Sequence, residues 1–291
     1  MRGAELPFRA ILKPYQGETA EMKIVAGNIL AIYRKELQGY FASPLAYAIA
    51  GVFWLLAGYL FVDYLLGPYG VIRQAALQDL QAQQLGGGAV PIDVPYRFLS
   101  NYLGAIGIIS LFVLPMLSMG LYSEERKRGT LELLATSPIT NWAVALGKLL
   151  GVMTFFGTMI LPLLAYEALA LSASNPPIKM AVPLLAHLGL LLLAGSVLSL
   201  GMFISSMTES TILSAIITFV LVFFLWVAEP IANNLGGFVG STLSHLSLIK
   251  HYRDFLQGVF DTGGLILFIS YIFLGLFLTA QTIDALRFNR S

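Results

Sequence analysis

Residues 122–148 read YSEERKRGTLELLATSPITNWAVALGK, and this charged, amphipathic stretch lies between two long apolar runs. Ser123-Glu124-Glu125-Arg126-Lys127-Arg128 packs five charges into six residues of a chain that is only 11% charged. Residues 103–121 before it carry no charge, and after Lys148 the next charge is Glu167. Such a cluster cannot rest in hydrocarbon. It therefore marks a polar loop where the chain leaves a membrane and re-enters it.

Hydrophobic residues make up 57% of the 291-residue chain, and mean hydropathy is +0.78, well above ordinary soluble proteins. Several uncharged runs reach the roughly 20 residues that a helix needs to cross the bilayer. An alternating ten-residue barrel pattern is absent. The formal net charge of +1 does not suggest nucleic acid as a partner, and zero cysteines exclude disulfides and thiolate metal sites. The first 40 residues are mixed polar and lack an early apolar core, so they are not expected to be a cleavable signal.

Working outward, residues 1–27 contain Pro7, Pro14 and Gly17 and are expected to form a loosely structured cytoplasmic tail. From Asn28, a plausible N-cap, Ile29, Leu30, Ile32, Tyr33, Leu37, Tyr40 and Phe41 fall near one helical face. Arg34, Lys35 and Glu36 fall mainly on the other. That pattern predicts an amphipathic helix over 28–42 lying in the headgroup region. Six spans follow, at 44–66, 97–121, 142–171, 181–205, 211–232 and 263–283. Residues 67–96 form a polar outer loop with a glycine run at 86–88, and 206–210 make a very short link. Residues 236–260 are too polar and broken to span and predict a short helical dip at the interface.

Basic residues set the topology. With the N-terminus inside, twelve of the 17 Lys and Arg fall in inside segments and five outside. The expected protein is thus all-α and multi-pass, with both termini cytoplasmic.

Loop 122–141 has a helix-like middle, with Leu131, Leu133, Leu134 and Ala135 apolar, Glu124, Glu125 and Glu132 acidic, and Gly129 and Pro138 as breaks. Headgroups, the protein's own spans or a partner protein could cover its apolar side. The sequence has no G-x-x-x-x-G-K-[ST], so the chain cannot cradle nucleotide phosphates by itself. Gly147-Lys148 is read as the start of a span whose lysine snorkels to the inner headgroups. Gly147-x-x-x-Gly151 has the spacing of a close packing face, whereas Gly236-x-x-x-Gly240 reads as a turn. Pro115, Pro162 and Pro183 lie inside apolar runs and are expected to kink helices.

Acidic groups near the membrane are candidates for a pathway or gate: Asp63, Glu167 and Glu229, all near the outer interface. Carboxylates reaching headgroups or water are the plainer reading of the three. His187 reads as a packed or interfacial histidine. His245 and His251, in a polar cluster with Lys250, Arg253 and Asp254, are further candidates for the pathway or gate. Without cysteine or paired carboxylates this is a weak metal signature, as are Met116 and Met119, and no metal site is assigned.

The run from Glu124 to Pro138, followed by Gly147-Lys148, resembles the coupling-loop signature of type-2 ABC exporter permeases. Lys35-Glu36-Leu37…Tyr40-Phe41…Ser43-Pro44 is similar to that family's interfacial helix entering the first span. The resemblance covers residues 28–287 and is greatest to the gliding-motility type of permease subunit, with the nitrous-oxide-reductase maturation permease a near neighbour. It implies that Glu124, Glu125, Arg126, Gly129, Thr130, Leu131 and Glu132 dock on an ATPase, and that residues 236–260 form a re-entrant outer hairpin. It further implies two ATPase subunits carrying ATP and Mg, with no cofactor on this chain. A second permease subunit, the same or related, would complete the complex in a bacterial inner membrane, and a periplasmic or accessory subunit could join it. On this reading the chain is not itself an enzyme. An ion- or proton-driven transporter using Asp63, Glu167 or Glu229 is the alternative; an intramembrane enzyme ranks below both, since no catalytic constellation falls within an apolar span.

Overall fold

The computed structural model describes residues 6–85, 92–131, 139–174 and 178–288. Among the described residues every regular element is an α-helix, and six of the helices are long and apolar enough to cross a membrane. In chain order these six are α2 (Pro44–Leu66), α4 (Val94–Ser118), α6 (Asn141–Ser172), α7 (Ala181–Met207), α8 (Thr211–Leu235) and α11 (Thr262–Phe288). The others are α1 (Leu6–Ala42), α3 (Val71–Leu85), α5 (Ser123–Lys127), α9 (Gly237–Leu246) and α10 (Leu248–Leu256).

Helix starts follow local chemistry. Oxygens of Ser43, Asp93, Thr140, Ser210 and Ser247 each accept a backbone N–H three residues on, satisfying an orphan donor of the first turn. Pro44 and the Pro at 95 sit in first turns, where no N–H is needed. The Asp93 cap starts α4 at Val94, ahead of the expected residue 97. Two stretches expected without structure are helical. The helix of α1 runs from Leu6, well before Asn28, and Glu18, Ala20, Glu21, Met22, Lys23 and Ala26 favour helix in the stretch that leads up to Asn28. The loop between the first two spans contains α3, whose Ala, Gln and Leu residues favour helix in the same way; its glycine run lies outside the described residues.

The bundle is organised around α7, the most buried span, with 78% of its apolar window inside the protein. Close approach requires small residues here. A methyl on Gly275 of α11 would come within 2.5 Å of the Ser199 backbone, and one on Gly201 would strike the Ser118 hydroxyl of α4. Ser196 and Ser199 donate to the carbonyls of Phe268 and Tyr271, tying α7 to α11. Phe98 and Tyr102 of α4 stack on each other, and Phe61 of α2 meets both edge-on. By contrast, Leu55, Tyr59 and Leu66 of α2 and Ile212, Ile216 and Phe224 of α8 are exposed, as a lipid-facing or subunit-facing belt requires.

Pro115 and Pro162 are interior to α4 and α6. Pro183 instead occupies the first turn of α7, so the kink expected there has no missing hydrogen bond to cause it. Gly236 and Gly237 take left-handed φ values of 62° and 61°, which ends α8 and turns the chain back as α9. Residues 237–256 are thus two short helices broken at Ser247. From α10, Tyr252 lies over Gly107 of α4 and donates to the Leu103 carbonyl at 2.8 Å, and Phe255 lies over Gly189 of α7. The pair plugs one end of the bundle.

Candidate functional site

At the opposite end, three helices meet on one ammonium group. Lys148 of α6 is 1% exposed. A buried cation requires compensation from every direction, and Lys148 has it. Its Nζ donates to Glu36 Oε1 of α1 at 2.9 Å, to Glu125 Oε1 of α5 at 2.9 Å and to the Leu121 carbonyl at 2.8 Å. All three ammonium hydrogens are used, and the Tyr122 ring lies 4.9 Å away as a cation–π contact. Lys148 therefore does not snorkel to headgroups; it turns inward because two carboxylates wait there.

Lys35 completes the cluster from its solvent side, reaching Glu125 at 3.0 Å and Glu36 at 3.4 Å while 64% exposed. Two carboxylates and two ammoniums balance. Burial alone would raise Glu125, but Lys148 and then Lys35 more than offset it and hold the carboxyl below its ordinary range. For Lys35 burial works downward, and Glu125 and Glu36 together leave it raised.

Backbone shape brings α1 to this point. A methyl on Gly147 would lie 2.9 Å from Ile32, and one on Gly151 would lie 2.8 Å from the Glu36 Cβ. The Gly147-x-x-x-Gly151 face is thus the seat of α1. Tyr40 fixes the same helix from its far end, donating to the Leu117 carbonyl at 2.6 Å and stacking on Phe155.

The other flank of α5 is held by α7. Ser205 Oγ accepts the backbone N–H groups of Tyr122 and Ser123, each at 3.0 Å, and donates to Met119 O at 2.7 Å. Arg126 donates to Ser206 O at 2.8 Å and pairs with Glu209 at 3.8 Å, in the link between α7 and α8. Consequently α5 cannot shift without pulling on α1, α6 and α7.

The loop residues divide between two faces. Glu125, Arg126 and Leu131 point into the protein; Leu131 is 3% exposed. Glu124 pairs with Arg128 at 3.5 Å, and Glu124, Lys127, Arg128, Gly129 and Thr130 are exposed. Gly129 has φ +69°, so it permits the turn after α5. Glu132 and the expected helix-like middle of the loop lie outside the described residues. Arg34 and Lys35 flank the joint on α1, where Glu36 enters it.

Of the pathway or gate candidates, Glu229 of α8 forms an ion pair with Arg253 of α10. Glu167 of α6 and His187 of α7 face each other at 3.6 Å, both buried. His187 Nδ1 is bonded to Pro183 O at 2.8 Å, and neither Glu167 oxygen has a hydrogen-bond partner among the described residues. His245 stacks on His251, whose Nδ1 meets Asp261 at 3.3 Å. Asp63 joins none of these groups; it is half-buried near the end of α2, where its carbonyl accepts the Gly67 N–H. Reading the sequence did not single out Lys148 as a hub, nor Ser205 or Asp261. A lysine eight residues into an apolar helix was the available signal for the first.

The family described as ABC-2 family transporter protein matches residues 30–278. No curated protein matches the chain at a significant level.

Proposed function

From the premise that this chain belongs to the ABC-2 transporter family as a multi-pass membrane subunit, we propose that it couples ATP hydrolysis on separate ATPase subunits to movement of its own spans. The single observation that carries the reading is the Lys148 joint, which binds loop, interfacial helix and span into one mechanical unit. Two permease chains, identical or related, would border a path, and two ATPases would supply the phosphate chemistry with their own ATP and Mg. The exposed face made by Glu124, Lys127, Arg128, Gly129 and Thr130 is where the ATPase docks. The inward face made by Glu125, Arg126 and Leu131 transmits. Coupling of this kind needs an element with two discrete arrangements, and a neutral four-charge cluster repacks as a whole. The cytoplasmic placement of the joint rests on the basic-residue bias, and the gliding-motility subtype on the resemblance over residues 28–287. The output is export or work on a periplasmic partner.

The test is co-expression with a candidate ATPase, purification through this chain and intact-complex mass determination. Two membrane chains with two ATPases support the reading. An ion-driven transporter would draw on the buried Glu167–His187 pair, and a chain that retains no ATPase yet transports on an ion gradient would favour it.

A further inference from the structure

At the plugged end of the bundle, His251 and Asp254 stand three residues apart on one face of α10. Asp261 comes from the turn that begins α11. One ligand atom from each of the three lies within 4.8 Å of the others.

The histidine is oriented as a ligand would be. His251 Nε2 faces the His245 carbonyl at 3.2 Å, and a carbonyl only accepts, so Nε2 carries hydrogen. The remaining nitrogen, Nδ1, is aimed at Asp261 Oδ2 at 3.3 Å. That contact is favourable with a cation between the nitrogen and the carboxylate, either a second ring hydrogen donated to Asp261 or a bound metal ion. Metal-ligating histidines characteristically donate their other N–H to a carbonyl or carboxylate. Two ligands about 2.0–2.2 Å from a tetrahedral zinc ion stand about 3.3–3.5 Å apart, and the observed separation falls there.

The surroundings agree. His251 is 5% exposed, which limits competition from water. Asp261 accepts the N–H groups of Gly263 and Gly264, fixing its carboxylate while leaving lone pairs free. The cations of α10 are directed elsewhere, Lys250 to Ser244 Oγ and Arg253 to Glu229. The gap to Asp254 is within reach of a rotamer change.

We propose that His251, Asp254 and Asp261 form a site for a divalent transition-metal cation of the zinc class, which staples α10 to the start of α11. Imidazole with carboxylate suits such an ion better than magnesium or calcium, which prefer all-oxygen shells. The fourth position is open to water. Because α10 places Tyr252 and Phe255 between α4 and α7, a bound ion holds the plug closed. The inference is independent of ATPase coupling.

The experiment titrates the full chain, in detergent and carrying a histidine-free affinity tag, with zinc chloride by calorimetry. The expected result is one saturable equivalent per chain, a rise in Tm reversed by chelator, and at least tenfold weaker binding in Asp254→Asn and His251→Asn. Asp254→Asn is the decisive variant, since it leaves the His251–Asp261 contact intact. Absence of saturable binding, equal affinity in Asp254→Asn, or equal affinity for magnesium would overturn the proposal and leave an imidazolium–carboxylate pair.

Discussion

Gly151 lies directly beneath the Cβ of Glu36, with room for no side chain of its own: a methyl there would stand 2.8 Å from that carbon. The packing face and the charge cluster are therefore one feature, since the glycine sets the depth at which Glu36 reaches Lys148. Gly151→Ala should lift α1 and destabilise the protein by about 1–3 kcal/mol, read as a lower Tm in detergent. Gly157, where an added methyl would meet nothing within 4 Å, supplies the control, and equal effects at both positions would contradict this account.

Removing one charge from the joint leaves its partners stranded. Lys148→Met should cost about 3 kcal/mol, the lower end for a broken buried pair because Lys35 remains. Glu36→Gln combined with Lys148→Met should recover part of that loss, and thermal denaturation of the single and double variants measures the coupling.

Ser205→Ala removes the acceptor for two buried backbone N–H groups. A loss of about 2 kcal/mol is expected, while Ser205→Thr keeps the hydroxyl and much of the stability. Indistinguishable Tm values for the Ala and Thr variants would show that the hydroxyl does not hold α5.

The pH dependence has a definite sign. The carboxyl of Glu125 titrates lower in the folded protein than its ordinary 4.5. Its contribution is thus complete above that value and is lost as pH falls through the lower folded one. Tm should be insensitive to this group from pH 7 down to the ordinary value, and the decline below should be shallower in Glu125→Gln. A Glu125-dependent decline beginning well above 4.5 would have the wrong sign.

Glu167 is 2% exposed and neither of its oxygens is hydrogen-bonded among the described residues. Glu167→Gln keeps its shape with no charge to bury, and stability should stay within about 1 kcal/mol of the parent. A loss of several kcal/mol would identify an ion pair with His187 instead.

Much of the architecture was legible because burial in lipid writes itself as composition. Six long uncharged runs leave few alternatives, and Gly147-x-x-x-Gly151 announced a close contact, whereas Asn28, read as an N-cap, lies inside α1. The identity of what sat on that face was not legible, since α1 is far away in sequence. Lys148 misled for the same reason: a lysine near a span end has headgroups within reach, and only the fold shows Glu36 and Glu125 to be nearer. The histidine cluster was read from residues 245–254 alone, without Asp261, because a turn had to bring that carboxylate back.

The central claim separates a docking face from a transmitting joint, and the absence of cysteine from the chain makes ATPase retention and site-specific labelling straightforward to measure together. The most direct measurement compares ATPase co-purification for Arg128→Glu with that for the charge-neutral Glu125→Gln/Lys148→Met pair. The account predicts that the exposed variant loses the ATPase, whereas the inward pair retains it but no longer transmits nucleotide-dependent changes to a label on α1. Retention by Arg128→Glu with loss in the inward pair would contradict it.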